Sequence, residues 1–211
     1  MTLRTTALTA ACSLLLASIG VAEHQPESHH ARTKGTMAKP AAADPQAGME
    51  AMVKAATPGE QHHALESIVG TFDAKVSMWM APNTPPQVSS GTSTNAWVLG
   101  NRYVEQKYEG TFAGQPFDGI GYAGYDNVLK QYVGTWMDNM GTGIMTSKGH
   151  ADAPGVIVSK ATMSDPMTGR SSSMREKLTI KDADTHVMEM WDPGPNGKEV
   201  KIMEITYTRK K

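Results

Sequence analysis

The segment Gly70-Thr71-Phe72-Asp73-Ala74-Lys75-Val76-Ser77-Met78-Trp79-Met80 decides the fold of this chain. Its apolar side chains alternate with Asp73, Lys75 and Ser77, which is the period of a β-strand with one buried face. Clusters of Pro, Gly, Asn and Asp recur after it at intervals close to the ~8–12 residues that separate meandering antiparallel strands. Because no later segment of the sequence has a helical period, we predict a purely antiparallel sheet.

We predict about ten strands, and closure of their sheet into a barrel would remove its exposed edges. The predicted strands cover residues 71–80, 88–99, 102–111, 117–125, 131–138, 143–149, 156–163, 170–180, 186–191 and 200–209. Gly119, Gly121 and Gly124 are interpreted as bulges or bends rather than as a phosphate cradle. The predicted fold class is therefore an all-β, antiparallel up-and-down β-barrel, whose interior holds either side chains or one small ligand.

A short helical cap, residues 44–68, precedes the strands. Asp44 as N-cap and Pro45 at the first helical position begin the first helix, whose apolar residues share one face. A second helical turn is predicted over residues 59–68, with apolar residues three and four positions apart. We expect both pieces to pack on the barrel as lids or plugs. Their apolar residues are Met49, Met52, Val53, Leu65, Ile68 and Val69.

Residues 1–22 have the pattern of a secretory signal peptide, with Arg4, an apolar stretch and small residues before Glu23. We therefore expect an exported protein, periplasmic or secreted. The apolar stretch is too short for a membrane span, and a lipoprotein signal ending at Cys12 is the weaker alternative because the apolar run continues beyond it. Since Cys12 is the only cysteine, the mature chain would have no disulfide and no thiolate metal site.

Residues 23–43 contain Met37 as their only large apolar residue and are predicted to be a flexible linker. The histidines at 24, 29 and 30 could bind zinc or copper, although such clusters are more often unspecific surface features. With 20 basic and 21 acidic residues, the chain gives no electrostatic case for binding nucleic acid. Residues 44–211 are predicted to be a single domain that is monomeric or weakly associating.

Four segments together resemble a known family. They are VGTFDAKVSMW at 69–79, GIGYAGYDN at 119–127, YVGTWMDN at 132–139 and MEITYTR at 203–209. They resemble the bacterial family called domain of unknown function 1579, which is catalogued without an established activity. That family is similar in turn to the calycin group, which includes lipocalins, fatty-acid-binding proteins and nitrobindins. The resemblance implies a lipocalin-like barrel and leaves the function open.

The calycin group opens its first strand with Gly-x-Trp, and Gly70-Thr71-Phe72 occupies the matching place here. Phe72 lacks the indole N–H of that pattern, but a cation can still lie over its ring. Lipocalins close the barrel with a late arginine, which makes Arg209 the candidate cation. The resemblance therefore implies that Gly70, Phe72 and Arg209 close one end of the barrel.

We predict that the barrel binds a small apolar or amphipathic molecule. Methionine is abundant in the predicted strands and suits either an irregular core or an adaptable apolar ligand site. Tyr207 and Arg209 share one strand face and could offer a hydroxyl and a guanidinium to a ligand carboxylate. The other candidate ligand-binding residues are Trp136, Met188 and Met190. Candidate aromatic wall or rim residues are Trp79, Trp97, Trp136 and Trp191.

Two other classes of function stay open. A small barrel enzyme could act on a hydrophobic substrate through interior carboxylates. The candidate carboxylates are Glu105, Asp118, Asp138, Glu189 and Glu204. The third class is a structural or interaction module of the cell envelope without a ligand. Because the motifs of nucleophilic and nucleotide-dependent enzymes are missing, no catalytic residue is assigned.

We predict no cofactor. Met78-x-Met80 and Met188-x-Met190 could present thioether pairs to copper(I), but the same spacing serves a buried strand face. His186 shares its predicted strand face with Met188 and Met190. Nitrobindins hold haem through a late histidine, so the resemblance makes haem at His186 another alternative, weaker than a structural role for this histidine.

Overall fold

The computed structural model describes residues 44–194 and 197–211, so the predicted signal peptide, linker and N-terminal histidines lie outside the described residues. Two α-helices, α1 (Pro45–Ala56) and α2 (Glu60–His63), and a 3₁₀ turn (Glu66–Ile68) precede the strands. The strands are β1 (Gly70–Met78), β2 (Gln87–Val98), β3 (Tyr103–Phe112), β4 (Gln115–Asp126), β5 (Gln131–Asp138), β6 (Met145–Ala153), β7 (Val156–Asp165), β8 (Arg170–Ile180), β9 (Thr185–Pro193) and β10 (Glu199–Arg209).

The ten strands form a closed barrel in which every strand pairs with its sequence neighbours and β1 pairs with β10. Each pair is antiparallel. Because the barrel is closed, no strand of the sheet has an unpaired edge. The backbone N–H and C=O groups of each strand can therefore form hydrogen bonds with two neighbouring strands. The prediction of an antiparallel all-β barrel of about ten strands is thus confirmed.

The register places alternate residues inside the barrel. Phe72, Ala74 and Val76 of β1 are buried, whereas Asp73 and Lys75 are exposed. The alternation that the sequence predicted for this strand is therefore present in the folded protein.

Met80 does not belong to the first strand, as the sequence had predicted. β1 ends at Met78, and Met80 is 67% exposed. The following turn contains three prolines between residues 79 and 86, which cannot donate hydrogen bonds to a neighbouring strand. Met78 and Met80 are consequently not a pair on one strand face.

The second helical segment plugs the barrel at the end where β1 begins, which we call the plugged end. Leu65 and Ile68 are buried there in one cluster with Val104, Tyr132 and Ile157. The opposite end, where β1 finishes, is called the far end. This segment therefore packs on the barrel as a plug, as predicted from the sequence.

Helix α1 forms as predicted but does not cover the barrel. The Asp44 carboxylate accepts a hydrogen bond from the Gln46 backbone N–H at 3.0 Å, as an N-cap does. None of its residues is buried. The exposed fractions of its apolar residues are 61% for Met49, 68% for Met52 and 59% for Val53. The prediction that α1 is a lid is wrong, because its apolar face is not buried against the strands.

Glycines in β4 make room for a tryptophan. Gly119 and Gly121 lie under the Trp136 indole of β5, and a Cβ on Gly121 would come within 2.9 Å of the ring. The β3–β4 register is continuous from residue 103 to 112, so β4 has no bulge at these glycines. Register shifts occur instead in β6 and β10.

Candidate functional site

A hydrogen-bonded polar cluster lies in the barrel interior above the plug. The Gln106 amide donates to the Ser93 hydroxyl at 2.9 Å and to the Tyr207 hydroxyl at 3.2 Å. The Ser93 hydroxyl donates to the side-chain oxygen Oδ1 of Asn95 at 2.8 Å, and the side-chain amide of Asn95 donates to the backbone carbonyl of Ile68 at 2.7 Å. Burial raises the pKa of Tyr207 to about 12. These polar groups thus form hydrogen bonds with one another, and the bond to Ile68 connects the plug to the strands.

His186 is buried beside this cluster, with only 3% of its surface exposed. Its ring stacks on Tyr207, with centroids 4.5 Å apart, and meets the Phe72 ring edge-on at 4.6 Å. Burial, and secondarily the charge of Arg209, lower the pKa of His186 to about 4, so the imidazole is neutral near pH 7. Its Nδ1 is the only buried side-chain nitrogen or oxygen without a hydrogen-bond partner among the described residues.

The Arg209 guanidinium ties the plug to the barrel wall. Its Nη1 donates to the Val69 carbonyl at 2.7 Å, and its Nη2 donates to the carbonyls of Ser67 and Ala183 at 3.0 and 2.9 Å. The Nε donates to the Ala183 carbonyl at 3.0 Å. All three guanidinium nitrogens therefore donate to backbone oxygens, which belong to two segments far apart in sequence.

The three residues expected at the barrel closure meet at the plugged end. Arg209 lies over the Phe72 ring, with 4.6 Å between the guanidinium carbon and the ring centroid. Gly70 has a φ of +129°, and a Cβ there would collide with the Arg209 side chain. Glycine is thus required at this position both by its backbone conformation and by the approach of the guanidinium.

The interior towards the far end is only half-buried, unlike the part next to the plug. Met188 and Met190 face inward on β9, and on β10 Ile205 lies opposite Met188 and Met203 lies opposite Met190. Inward-facing side chains that are still partly exposed indicate that solvent reaches this part of the barrel. The half-buried interior residues here are Phe117, Trp136, Met145, Met163, Met174, Met188, Met190 and Met203.

The predicted ligand-binding residues fall into two groups. Trp136 and Met188 pack against the apolar cluster that contains Tyr207, and Met190 follows on the same strand face. Arg209 lies below them at the plugged end, with its nitrogens on carbonyl oxygens. A ligand that touched the methionines and Trp136 would therefore not meet free donors of Arg209.

The other tryptophans have separate locations. Trp97 donates from its indole N–H to Glu66 at 2.7 Å, next to the plug. Trp191 lies on the outer face, where Arg175 is 3.7 Å and Lys201 5.5 Å from its ring. Of the tryptophans placed in strands, Trp136 is the one that lines the half-buried interior.

Most of the candidate catalytic carboxylates point away from the interior. Asp118, Glu189 and Glu204 lie on the outer face of the barrel, and Glu105 also faces outward, accepting a hydrogen bond from Tyr122 at 2.9 Å. Asp138 is the exception, because its carboxylate accepts the indole N–H of Trp136 at 3.0 Å. The five carboxylates therefore do not converge.

Glu176 is an interior carboxyl that the sequence reasoning missed. It lies on β8 directly between Ser159 of β7 and Met190 of β9, and only 6% of its surface is exposed. Burial raises the pKa of Glu176, and the nearby Ser147 hydroxyl partly opposes this effect. The sequence contained a signal for this interior position, because Glu176 lies two residues from each of the apolar residues Met174 and Leu178 and so shares their strand face.

Two shallow grooves of ≈ 420 and ≈ 410 Å³ lie along the outer face. The first contains Lys148, Lys160 and Arg175, which stand opposite one another on three adjacent strands. Arg175 is held there by a bidentate contact with Glu199 at 2.8 and 2.9 Å. The grooves are open surface features.

Within residues 44–194 and 197–211, no three His, Cys, Asp or Glu side chains lie close enough together to hold a metal ion. No helix in the same ranges is long and apolar enough to cross a membrane.

The chain matches a family model described as "Protein of unknown function (DUF1579)" over residues 57–209. No curated protein matches it. A similar solved structure is Rv2717c from M. tuberculosis, with 14% identity and a TM-score of 0.52, covering 74% of this chain and 100% of that one. A redesigned beta barrel has 15% identity and a TM-score of 0.39, covering 70% and 96% respectively. At 14% identity, the likeness to Rv2717c supports the barrel fold alone.

Proposed function

The chain belongs to the DUF1579 family of proteins of unknown function, and we propose that it binds a small apolar or amphipathic molecule inside its barrel. One observation carries this proposal. Methionines and Trp136 line an interior that is half-buried towards the far end, while Leu65 and Ile68 seal the plugged end. A barrel closed at one end and partly solvated at the other, in the manner of a lipocalin, suits a ligand that enters from the far end.

The chemistry of the wall supports an apolar ligand body. Methionine side chains are unbranched and polarizable, so they adapt to different shapes, and Trp136 adds a large flat surface. The candidate contacts are Met188, Met190 and Trp136, with Tyr207 below them at the floor. We further propose that the protein acts outside the cytoplasm, since residues 1–22 have the pattern of a signal peptide.

Filling the interior tests the proposal. The binding of Nile red, a neutral apolar dye, is followed by fluorescence for wild type, Met190→Trp and the matched variant Met137→Trp. Met137 lies on the outer face opposite the exposed Ile120, so the control adds the same volume outside the barrel. We expect Met190→Trp to weaken dye binding at least about tenfold and Met137→Trp to change it less than about twofold.

Native mass spectrometry of the exported protein, followed by denaturation, identifies any ligand that co-purifies. A stoichiometric small apolar molecule would support the proposal. Wild type that is empty and does not bind Nile red would refute it and favour a barrel that its own side chains fill. A dye affinity that Met137→Trp lowers and Met190→Trp leaves unchanged would place the dye outside the barrel.

A further inference from the structure

The buried carboxyl of Glu176 has no cationic partner. No Lys, Arg or His side chain of residues 44–194 and 197–211 forms an ion pair with it. Its neighbours in the register are Ser159 and Met190, and the polar group beside its carboxyl is the Ser147 hydroxyl. Carboxylates that are almost fully buried are normally paired with a cation, because desolvation of an isolated charge is costly. The folded barrel thus contains an interior acid for which the described residues provide no counter-ion.

The other ionisable groups that face the interior make it acidic. Asp138, Asp165 and Asp192 occupy inward-facing positions near the far end, where one cation, Arg170, lies opposite Asp165 in the register and is exposed. The acidic groups therefore outnumber the basic ones at this end. The Asp165 carboxylate accepts hydrogen bonds from Met167 N–H at 2.8 Å and the Thr168 hydroxyl at 2.7 Å, which lower its pKa and keep it charged. Acidic groups around a partly enclosed space favour the entry of cations over anions.

The plugged end does not reverse this preference. The Arg209 nitrogens already donate to the carbonyls of Val69, Ser67 and Ala183, so they do not provide an anion site in the interior. His186 is neutral near pH 7 because of its burial. A ligand carboxylate would therefore meet Glu176 without a compensating cation.

The wall around Glu176 suits an organic cation. Met190 lies directly beside it, and Met174 precedes it by two residues on the same strand face. Trp136 faces the same half-buried space from β5. Polarizable thioethers and aromatic faces tolerate an alkylammonium group better than an aliphatic wall does, and cations lie favourably over indole rings.

We propose that the barrel selects cationic amphiphiles, with an organic ammonium group bound at Glu176 and the apolar body against the methionines and Trp136. This inference rests on the proposed function, because it names the ligand class of the same interior site. It replaces the carboxylated ligand that Tyr207 and Arg209 suggested in the sequence with a ligand of opposite charge.

Displacement of Nile red by three amphiphiles with the same twelve-carbon chain tests the charge preference. The competitors are dodecyltrimethylammonium, dodecanol and dodecanoate, each used below its micelle concentration near neutral pH. We expect the ammonium compound to displace the dye from wild type at a concentration at least about tenfold lower than either of the others. Equal or better displacement by dodecanoate would overturn the inference while leaving the proposed function standing.

Two glutamine variants locate the effect. Glu176→Gln should weaken the ammonium compound at least about tenfold and change dodecanol less than about twofold, because an amide cannot ionise to pair with the ammonium group. Glu109→Gln removes an exposed carboxylate from the outer face and should behave as wild type. An ammonium preference that survives in Glu176→Gln would refute the assignment to this residue.

If the variant does not fold, the ranking of the three competitors on wild type still decides the charge preference. Absence of Nile red binding to wild type would instead refute the proposed function itself, and the inference with it.

Discussion

The neutral buried imidazole of His186 should make the barrel sensitive to mild acid. The ring lies between Tyr207 and Phe72, where the nearest charge is the guanidinium of Arg209. In the unfolded chain the imidazole has its ordinary pKa of 6.5, whereas in the folded protein burial lowers this pKa to about 4. Replacement of His186 by Phe keeps an aromatic ring in the stack and removes the titration.

The sign and the size of the effect follow from proton linkage. Between these two pKa values the unfolded state binds a proton that the folded state does not, so stability falls as the pH is lowered through 6.5. Below pH 6.5, each pH unit over which only the unfolded state is protonated costs about 1.36 kcal/mol of unfolding free energy. Acidification from about pH 7.5 to about pH 5 crosses about 1.5 such units. His186 should therefore cost the wild type about 2 kcal/mol of unfolding free energy over that interval.

Urea unfolding at both pH values, followed by circular dichroism, measures this loss for wild type, His186→Phe and His150→Phe. His150 is exposed on the outer side of β6, so its variant should lose as much stability on acidification as wild type. His186→Phe should lose about 2 kcal/mol less than wild type. The comparison uses the difference between two pH values, so the packing cost of the larger ring cancels. A loss in His186→Phe equal to that of wild type would show that the imidazole is not held neutral, and would refute the reasoning.

Two further substitutions test the packing of the barrel. Arg209→Met removes the hydrogen bonds to three carbonyls and the contact with Phe72, and should lower the unfolding free energy by about 3 kcal/mol in urea titrations. Arg170→Met, at an exposed position, should change it by less than about 0.5 kcal/mol, and similar losses in both variants would contradict the closure role. Gly119→Ala should destabilise by about 2 kcal/mol because its methyl group displaces the Trp136 indole. The same change in a Trp136→Ala background should cost much less, and equal costs would show that the indole does not lie on this glycine.

The sequence was sufficient for the strands because their signals are local. The alternation around Phe72 and the recurring turn residues depend on neighbouring positions, and all ten predicted strands are present. The end of β1 was misjudged at Met80, since the alternation of the sequence continues to Met80 whereas strand pairing ends at Met78. Helix α1 was predicted for the same local reasons, through Asp44 and Pro45, and it is present.

The candidate site was predictable only in part. Met188 and Met190 were assigned to one strand face by their spacing of two, and Trp136 was named only as a candidate ligand-binding, wall or rim residue. Glu176 shares that phase with Met174 but was overlooked, since charged residues in strands usually face solvent. The exposure of Met49, Met52 and Val53 on α1 could not be predicted. An apolar helix face indicates a partner surface but does not show whether the fold provides one.

The sequence by itself determined the antiparallel strands, the turns between them and the inward phase of β1. Only the tertiary structure decided which inward residues meet, because that depends on closure between β1 and β10 and on the register of all ten pairs. Arg209 reaches Val69 across 140 positions, and Gln106 reaches Tyr207 across 101. Contacts at such separations follow from the path of the whole sheet, whereas strand periodicity is set within a few residues. The interior acid of Glu176, without a cation beside it, is a property of that closed barrel and of no single segment.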